Sequence, residues 1–143
     1  MLLLTDRFIY IINMQIHNNP LNIRKSNDTF LGEYVSDLPF KEFDSMEHGI
    51  RAGMVIIRNY VLKHKCKTIS DIIYRWAPPS DHNNTKNYID FVCHHMSCSP
   101  CYKFDIYNDD DFVNLIFAMA LFETRTQLDK TQLFLYYKHY IYH

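Results

Sequence analysis

The sequence has 143 residues, of which 48% are hydrophobic and 22% are charged, a balance that excludes a disordered chain. This length suffices for about one domain with a sizeable core. The formal net charge is −1 and no long run of lysine or arginine occurs. These features exclude the electrostatic surface of a non-specific nucleic-acid binder, so no nucleic-acid partner is predicted.

The first sixteen residues are largely apolar, but Asp6 and Arg7 interrupt them. The stretch is too short and too charged for a membrane span, and it lacks the basic start and small-residue cleavage site of a convincing signal peptide. We interpret residues 1–13 as an N-terminal extension, with Met14 as an alternative start. Residues 14–143 are predicted to form one domain.

A small β-hairpin is predicted next. The Asn18–Arg24 stretch is rich in asparagine and holds a proline, which is typical of a turn. Residues 30–35 and 40–43 have the composition of two short strands, and residues 36–39 have that of the turn between them.

Helices are predicted for most of the remaining chain. Asp44 and Glu47 have the spacing of a capping box, and apolar positions then follow one helical face to about Lys65. Thr68 with Asp71 predicts the start of a second helix.

This second helix should end before Pro78, because the residue preceding a proline is pushed out of the helical region. Asn83 or Asn84 is expected to cap the next helix, and the Asp109–Asp111 run to begin another. The apolar tail from Leu133 fits a helix or a strand, and either must be covered because an exposed one would aggregate.

Several of these pieces together resemble a phage and prophage family that is labelled virion structural protein. The resemblance spans about residues 17–123 and rests on the order of the motifs NNPxNIR, GIRA and RWAPP, with further matches between and after them. It implies a phage or prophage origin and other virion proteins as partners. The apolar tail from Leu133 would be the partner surface of a virion module.

A more distant resemblance, mostly positional, is to the glucosaminidase branch of the lysozyme-like superfamily. It implies a mostly helical α+β lysozyme-like domain with a small β-hairpin. It also implies the glycan of bacterial peptidoglycan as the substrate class.

Glycoside hydrolysis needs a carboxylic acid that stays protonated beside the scissile oxygen. The general acid of the glucosaminidase-like pattern falls in Met1–His17, where Asp6 is the sole acid. The other candidates are Glu33, Glu42 and Glu47. Glu33 comes first, because neighbouring aromatic residues would desolvate it and raise its pKa, although a solvated strand position also fits. Glu47 is also explained as the capping-box partner.

Five residues are candidates for substrate binding. Arg24 and Arg51 could hold an N-acetyl group or a peptide carboxylate, or they could form structural ion pairs. Asn19 and Asn22 could bind sugar hydroxyls, or they could satisfy the backbone of their turn. Trp76 could stack on a sugar, although its helical spacing also fits a core position.

A cysteine cluster gives an alternative function. Cys98 and Cys101 have the spacing of half a zinc site, which Cys93, His94 or His95 could complete. Free thiols in a reducing compartment explain the same residues. We predict no metal and no cofactor.

The sequence therefore predicts a protein that engages bacterial peptidoglycan in a virion or during lysis, and that cleaves its glycan if an acid reaches the cleft. The protein would be made in the host cytoplasm and then act in the virion or at the cell wall. The alternatives are a non-catalytic virion module and a small zinc-binding module.

Overall fold

The computed structural model describes residues 17–142, and the expectations for residues 1–13 and Met14 lie outside them. The elements are β1 (Glu33–Tyr34), β2 (Glu42–Phe43), α1 (Met46–Lys63), α2 (Ile69–Trp76), a 3-10 turn (Pro79–Asp81), α3 (Thr85–Met96), α4 (Asp109–Thr124) and α5 (Lys130–Tyr142). The prediction of a mostly helical α+β fold with a small hairpin is confirmed.

The helix starts follow from local side-chain chemistry. Thr68 and Asp71 form the predicted capping box of α2, which ends at Trp76 before the double proline, as expected. Asn84 caps α3 by accepting a hydrogen bond from the backbone N–H of Asn87.

The start of α1 differs from the prediction by one residue. Ser45, not Asp44, is the N-cap and accepts a hydrogen bond from the backbone N–H of His48. The carboxylate of Asp44 lies 2.5 Å from the His48 ring instead. Glu47 contacts the ring of His139 on α5 at 2.9 Å, so it does not complete a capping box.

Helix α4 forms the centre of the core and packs against α3 on one side and α5 on the other. Its side chains are apolar around most of the circumference, which is typical of a helix buried on several sides. Its buried apolar residues are Phe112, Val113, Leu115, Ile116, Ala118, Met119 and Ala120.

The apolar tail is helix α5, which resolves the choice between helix and strand. Leu133 and Tyr137 are buried, and the Tyr137 hydroxyl donates a hydrogen bond to the backbone oxygen of Ile106 at 2.8 Å. The helix packs on α1 and α4. The expectation that this tail must be covered is confirmed for these two residues, and they are not open to a partner.

The asparagine-rich turn packs against α1 at two glycines of that helix, Gly49 and Gly53. A Cβ on Gly49 would lie 1.8 Å from the backbone oxygen of Asn18, so this approach requires glycine. The fully buried Asn19 amide donates to the backbone oxygens of Ile23 and Lys41 and accepts from the backbone N–H of Ile23. These contacts fix the path of the loop that follows.

The two predicted strands pair in antiparallel fashion, but each is two residues long, with Glu33 opposite Phe43. A buried ion pair holds the hairpin, since the Glu33 carboxylate lies 2.5 Å from the Lys41 ammonium. Glu33 also accepts a hydrogen bond from the backbone N–H of Phe30 at 2.9 Å.

Candidate active site

A cleft of about 420 Å³ opens where the loop after the asparagine-rich turn meets the ends of α2 and α4. Residues from five segments line it, which is why the folded chain is needed to form it. They include Asn22, Arg24, Asp28, Tyr60, Arg75, Trp76, Asp81 and Glu123.

Among the ionisable groups that line the cleft, Glu123 has the pKa that its surroundings shift most. Burial raises the pKa of its carboxyl from 4.5 to about 7, against the smaller opposite effects of its polar neighbours. Its place in the last turn of α4 acts in the same direction, because the negative end of the helix dipole disfavours a carboxylate there. The side chain is only partly exposed. Near neutral pH a large fraction of this carboxyl therefore keeps its proton.

Three donor side chains interact with the Glu123 carboxyl and lower its pKa in part. They belong to Asn22, Tyr88 and Trp76. Asn22 is held in the left-handed backbone region with φ 58°, which asparagine tolerates better than most residues. The buried Tyr88 hydroxyl makes no direct hydrogen bond within 3.5 Å among residues 17–142, so its effect on Glu123 is longer-range. The Glu123 side chain lines the cleft, so a ligand bound there would lie within its reach.

Trp76 also contributes an aromatic wall to the cleft. It is partly exposed at the end of α2 and meets the Tyr60 ring edge-on, with ring centroids 6.5 Å apart. The double proline behind Trp76 ends the helix and fixes the chain direction at this point.

Three of the five substrate-binding candidates lie at this cleft, namely Asn22, Arg24 and Trp76. Arg51 lines an adjoining depression, where its guanidinium stacks on the Tyr140 ring at 5.2 Å. Asn19 lies elsewhere, because its amide is buried and bonded to backbone on both its nitrogen and its oxygen. The structure gives Asn19 the turn-holding role.

The sequence-based choices for the acid do not line this cleft. Glu33 is held by Lys41 and by the backbone of Phe30, and Glu47 points to His139 on α5. Glu42 lies 2.8 Å from the ring of His17. Each carboxylate therefore already has a structural partner.

Glu123 was not among the sequence candidates, because in the sequence it looks like an ordinary surface residue at a helix end. One sequence signal could have revealed it. From Phe112 to Thr124, Glu123 is the only charged residue in a mostly apolar stretch of helix. A lone carboxyl in that setting, at the disfavoured end of the dipole, is a candidate for a raised pKa.

The cysteine cluster lies away from the cleft, at the end of α3. All four cysteines are free thiols, and burial raises the pKa of Cys93 to about 11, so this thiol is protonated at neutral pH. In residues 17–142 no three side chains among His, Cys, Asp and Glu converge as metal ligands. The set of Cys93, His94, Cys98 and Cys101 is therefore not arranged as a metal site, and His94 is exposed.

Comparison with known proteins gives one informative similarity. No family model matches the chain. Over 108 residues the chain is 41% identical to Protein P5 of Pseudoalteromonas phage PM2. The aligned region covers 72% of this chain and 65% of the phage protein. The chain is similar to a phage protein. The match spans slightly less than two thirds of the length of that protein, and it supports a phage or prophage origin.

No helix in the described range 17–142 has the length and apolar character that crossing a bilayer requires.

Proposed function

We propose that this chain cleaves the glycan strand of bacterial peptidoglycan, with Glu123 as the proton donor. The observation that carries the proposal is the carboxyl of Glu123, whose pKa is raised to about 7 by burial in a cleft that remains open to a ligand. A phage protein has a use for such an activity when the phage enters or leaves a walled host. We place it in a virion or at the cell wall, with peptidoglycan as its partner, and a lysozyme-like fold is part of the same proposal.

The proposed chemistry is general acid catalysis. Glu123 donates its proton to the glycosidic oxygen while the bond from that oxygen to the anomeric carbon breaks. Water then adds to the anomeric carbon, and its proton goes to the carboxylate left on Glu123 or to a second carboxylate. Asp28 and Asp81 line the same cleft and are the candidates for that second group.

The other residues of the cleft suit a sugar ligand. A partly exposed indole and a phenol ring offer apolar faces to the C–H face of a sugar, and the Asn22 amide offers a polar contact. Trp76 and Asn22 thus bind substrate and also interact with the acid. Because these groups come from different segments, the intact fold holds the substrate against Glu123.

The proposal is tested by muropeptide release from purified peptidoglycan, with products identified by mass. We expect the wild type to release fragments cut in the glycan strand. Replacement of Glu123 by Gln should lower the rate by about 100-fold or more, because an amide cannot donate the proton.

Glu47→Gln is the matched control, since it makes the same chemical change at a carboxylate outside the cleft. It should release fragments at the wild-type rate. Equal release by wild type and Glu123→Gln would contradict the proposal, and release lost only in Glu47→Gln would move the acid to α1.

The second candidate function is a non-catalytic virion module, which one surface feature favours. Four apolar side chains are exposed on and beside the hairpin, which suits contact with another protein. They are Leu31, Tyr34, Val35 and Leu38, and Val35 has no shielding from solvent. Absence of fragment release by a wild type that still binds peptidoglycan would favour this function.

A further inference from the structure

Two arginines of the cleft contact aromatic rings, and the charge of one of them, Arg24, also acts on the Glu123 carboxyl and lowers its pKa in part. The guanidinium of Arg24 stacks on the Phe40 ring at 5.5 Å, and that of Arg75 stacks on the Tyr60 ring at 5.2 Å. In residues 17–142 neither lies within 4.0 Å of a carboxylate. Both side chains are exposed and line the cleft that contains Glu123.

Stacking on a ring prepares an arginine to bind an anion. The ring covers one face of the planar guanidinium and limits its motion, while the N–H groups along its edge stay available. A carboxylate matches that edge with two parallel hydrogen bonds. Two such groups beside one acid form a receptor for a carboxylate carried by the substrate.

The charge of the surrounding groove agrees with an anionic ligand. Two depressions adjoin the cleft and share the Tyr60 and His64 side chains with it, and the three are together called the groove. Its basic side chains are Arg24, Lys25, Arg51, Lys63, Lys65 and Arg75.

The groove also contains four acidic side chains, which is fewer than its basic ones. One of the four, Asp71, already accepts hydrogen bonds from the backbone N–H groups of Lys67 and Thr68. The whole chain carries a net charge of −1, so positive charge is concentrated in this groove.

We propose that the groove selects glycan strands that carry carboxylates, and that Arg75 together with Arg24 binds a carboxylate attached to the sugar next to the cleaved bond. In peptidoglycan this group is either the lactyl carboxylate of a muramyl sugar or a carboxylate of its peptide. This inference rests on the proposed function and adds the substrate feature that is recognised. Arg24 was predicted together with Arg51 to hold a carboxylate, whereas in the structure Arg24 and Arg75 line the cleft that contains Glu123.

The test is a binding titration in a Glu123→Gln background, where the glycan stays intact. Trp76 is the only tryptophan of the chain and lies in the cleft, so its fluorescence reports occupancy, with calorimetry as a second readout. Three probes are compared: neutral N-acetylglucosamine oligomers, peptidoglycan strands with peptides, and strands stripped of peptides by an amidase, which bear free lactyl carboxylates.

We expect at least one carboxylate-bearing probe to bind about tenfold or more tightly than the neutral oligomer, as a charge-assisted contact would give. Arg75→Gln and, separately, Arg24→Gln should each remove about tenfold of that affinity and change neutral binding less than about twofold. Lys86→Gln removes the same charge on α3, outside the groove, and should change neither. Preference for stripped strands would assign the lactyl group, and preference for intact strands would assign the peptide.

Equal affinity for neutral and charged probes, equal weakening of both by Arg75→Gln, or no binding to any probe would overturn the inference. Fragment release by the wild type is measured in parallel. Charge-selective binding without release would sink the cleavage proposal alone, whereas release without charge preference would sink this inference alone.

Discussion

At the scale of single residues, the environment of one carboxyl carries the functional argument. Glu123 has polar neighbours that favour its charged form, yet burial outweighs them and raises its pKa to about 7. Glu33 instead forms an ion pair with the buried Lys41 within the hairpin. The two glutamates differ in their partners: those of Glu33 lie within eight positions of it, whereas those of Glu123 come from parts of the chain distant in sequence.

The raised pKa of Glu123 predicts how stability depends on pH. The folded state holds the Glu123 proton more tightly than the unfolded state, because its carboxyl has the higher pKa. The contribution of this proton to the stability of the fold is therefore complete below about pH 4.5 and is lost as the pH rises through about 7. Glu123→Gln avoids that loss. At pH 8 the variant should be more stable to urea unfolding, by at most about 3 kcal/mol because residual solvent screens the charge.

At pH 4.5 the two proteins should unfold at similar urea concentrations, which makes the acidic measurement an internal control. A stability difference that does not change between pH 4.5 and pH 8, or a variant that is less stable at pH 8, would show that the carboxyl is not destabilised by burial.

At the scale of elements, local chemistry predicted the helices well. The capping box of Thr68 and Asp71, the end of α2 before the double proline and the Asn84 cap depend on neighbours within a few residues. Helix α1 begins one residue later than predicted, because Ser45 can also act as an N-cap and the Asp44 carboxylate contacts the His48 ring instead. The prediction for the tail did not decide between a helix and a strand, because its apolar residues follow neither a helical nor an alternating spacing clearly.

The contact between α1 and the asparagine-rich turn gives a stability prediction. Glycine to alanine within a helix is usually stabilising, but a Cβ on Gly49 would meet the backbone oxygen of Asn18 at 1.8 Å. Backbone cannot move aside easily, so Gly49→Ala should destabilise the fold by about 2–3 kcal/mol. Urea unfolding followed by circular dichroism measures this.

Gly53→Ala on the same helix is the comparison. Its Cβ would meet the end of the Leu21 side chain, which can shift, so the loss should be smaller than for Gly49→Ala. The reverse order, or no loss at Gly49, would mean that the turn is not held against α1 as described.

At the scale of the whole molecule, the cleft is the feature that sequence could predict least. Asn22, Arg24 and Trp76 were recognised by residue type, and they do lie together. Arg75 and Glu123 were not, because their importance depends on α2 and α4 ending at the same place. The hydrogen bond from the Thr124 hydroxyl to the backbone oxygen of Pro20, at 2.8 Å, joins the end of α4 to the asparagine-rich turn, 104 positions apart. No local pattern encodes such a contact.

The proposed acid role requires that the carboxyl of Glu123 hold its proton near neutral pH, and carbon-13 NMR of labelled glutamate side chains measures this protonation. The chain has four glutamates, so Glu123→Gln identifies the resonance of Glu123 by its loss. We predict that this resonance titrates with a midpoint of about 7. A midpoint near 4.5 would mean that Glu123 is ionised at neutral pH and would contradict its role as the acid.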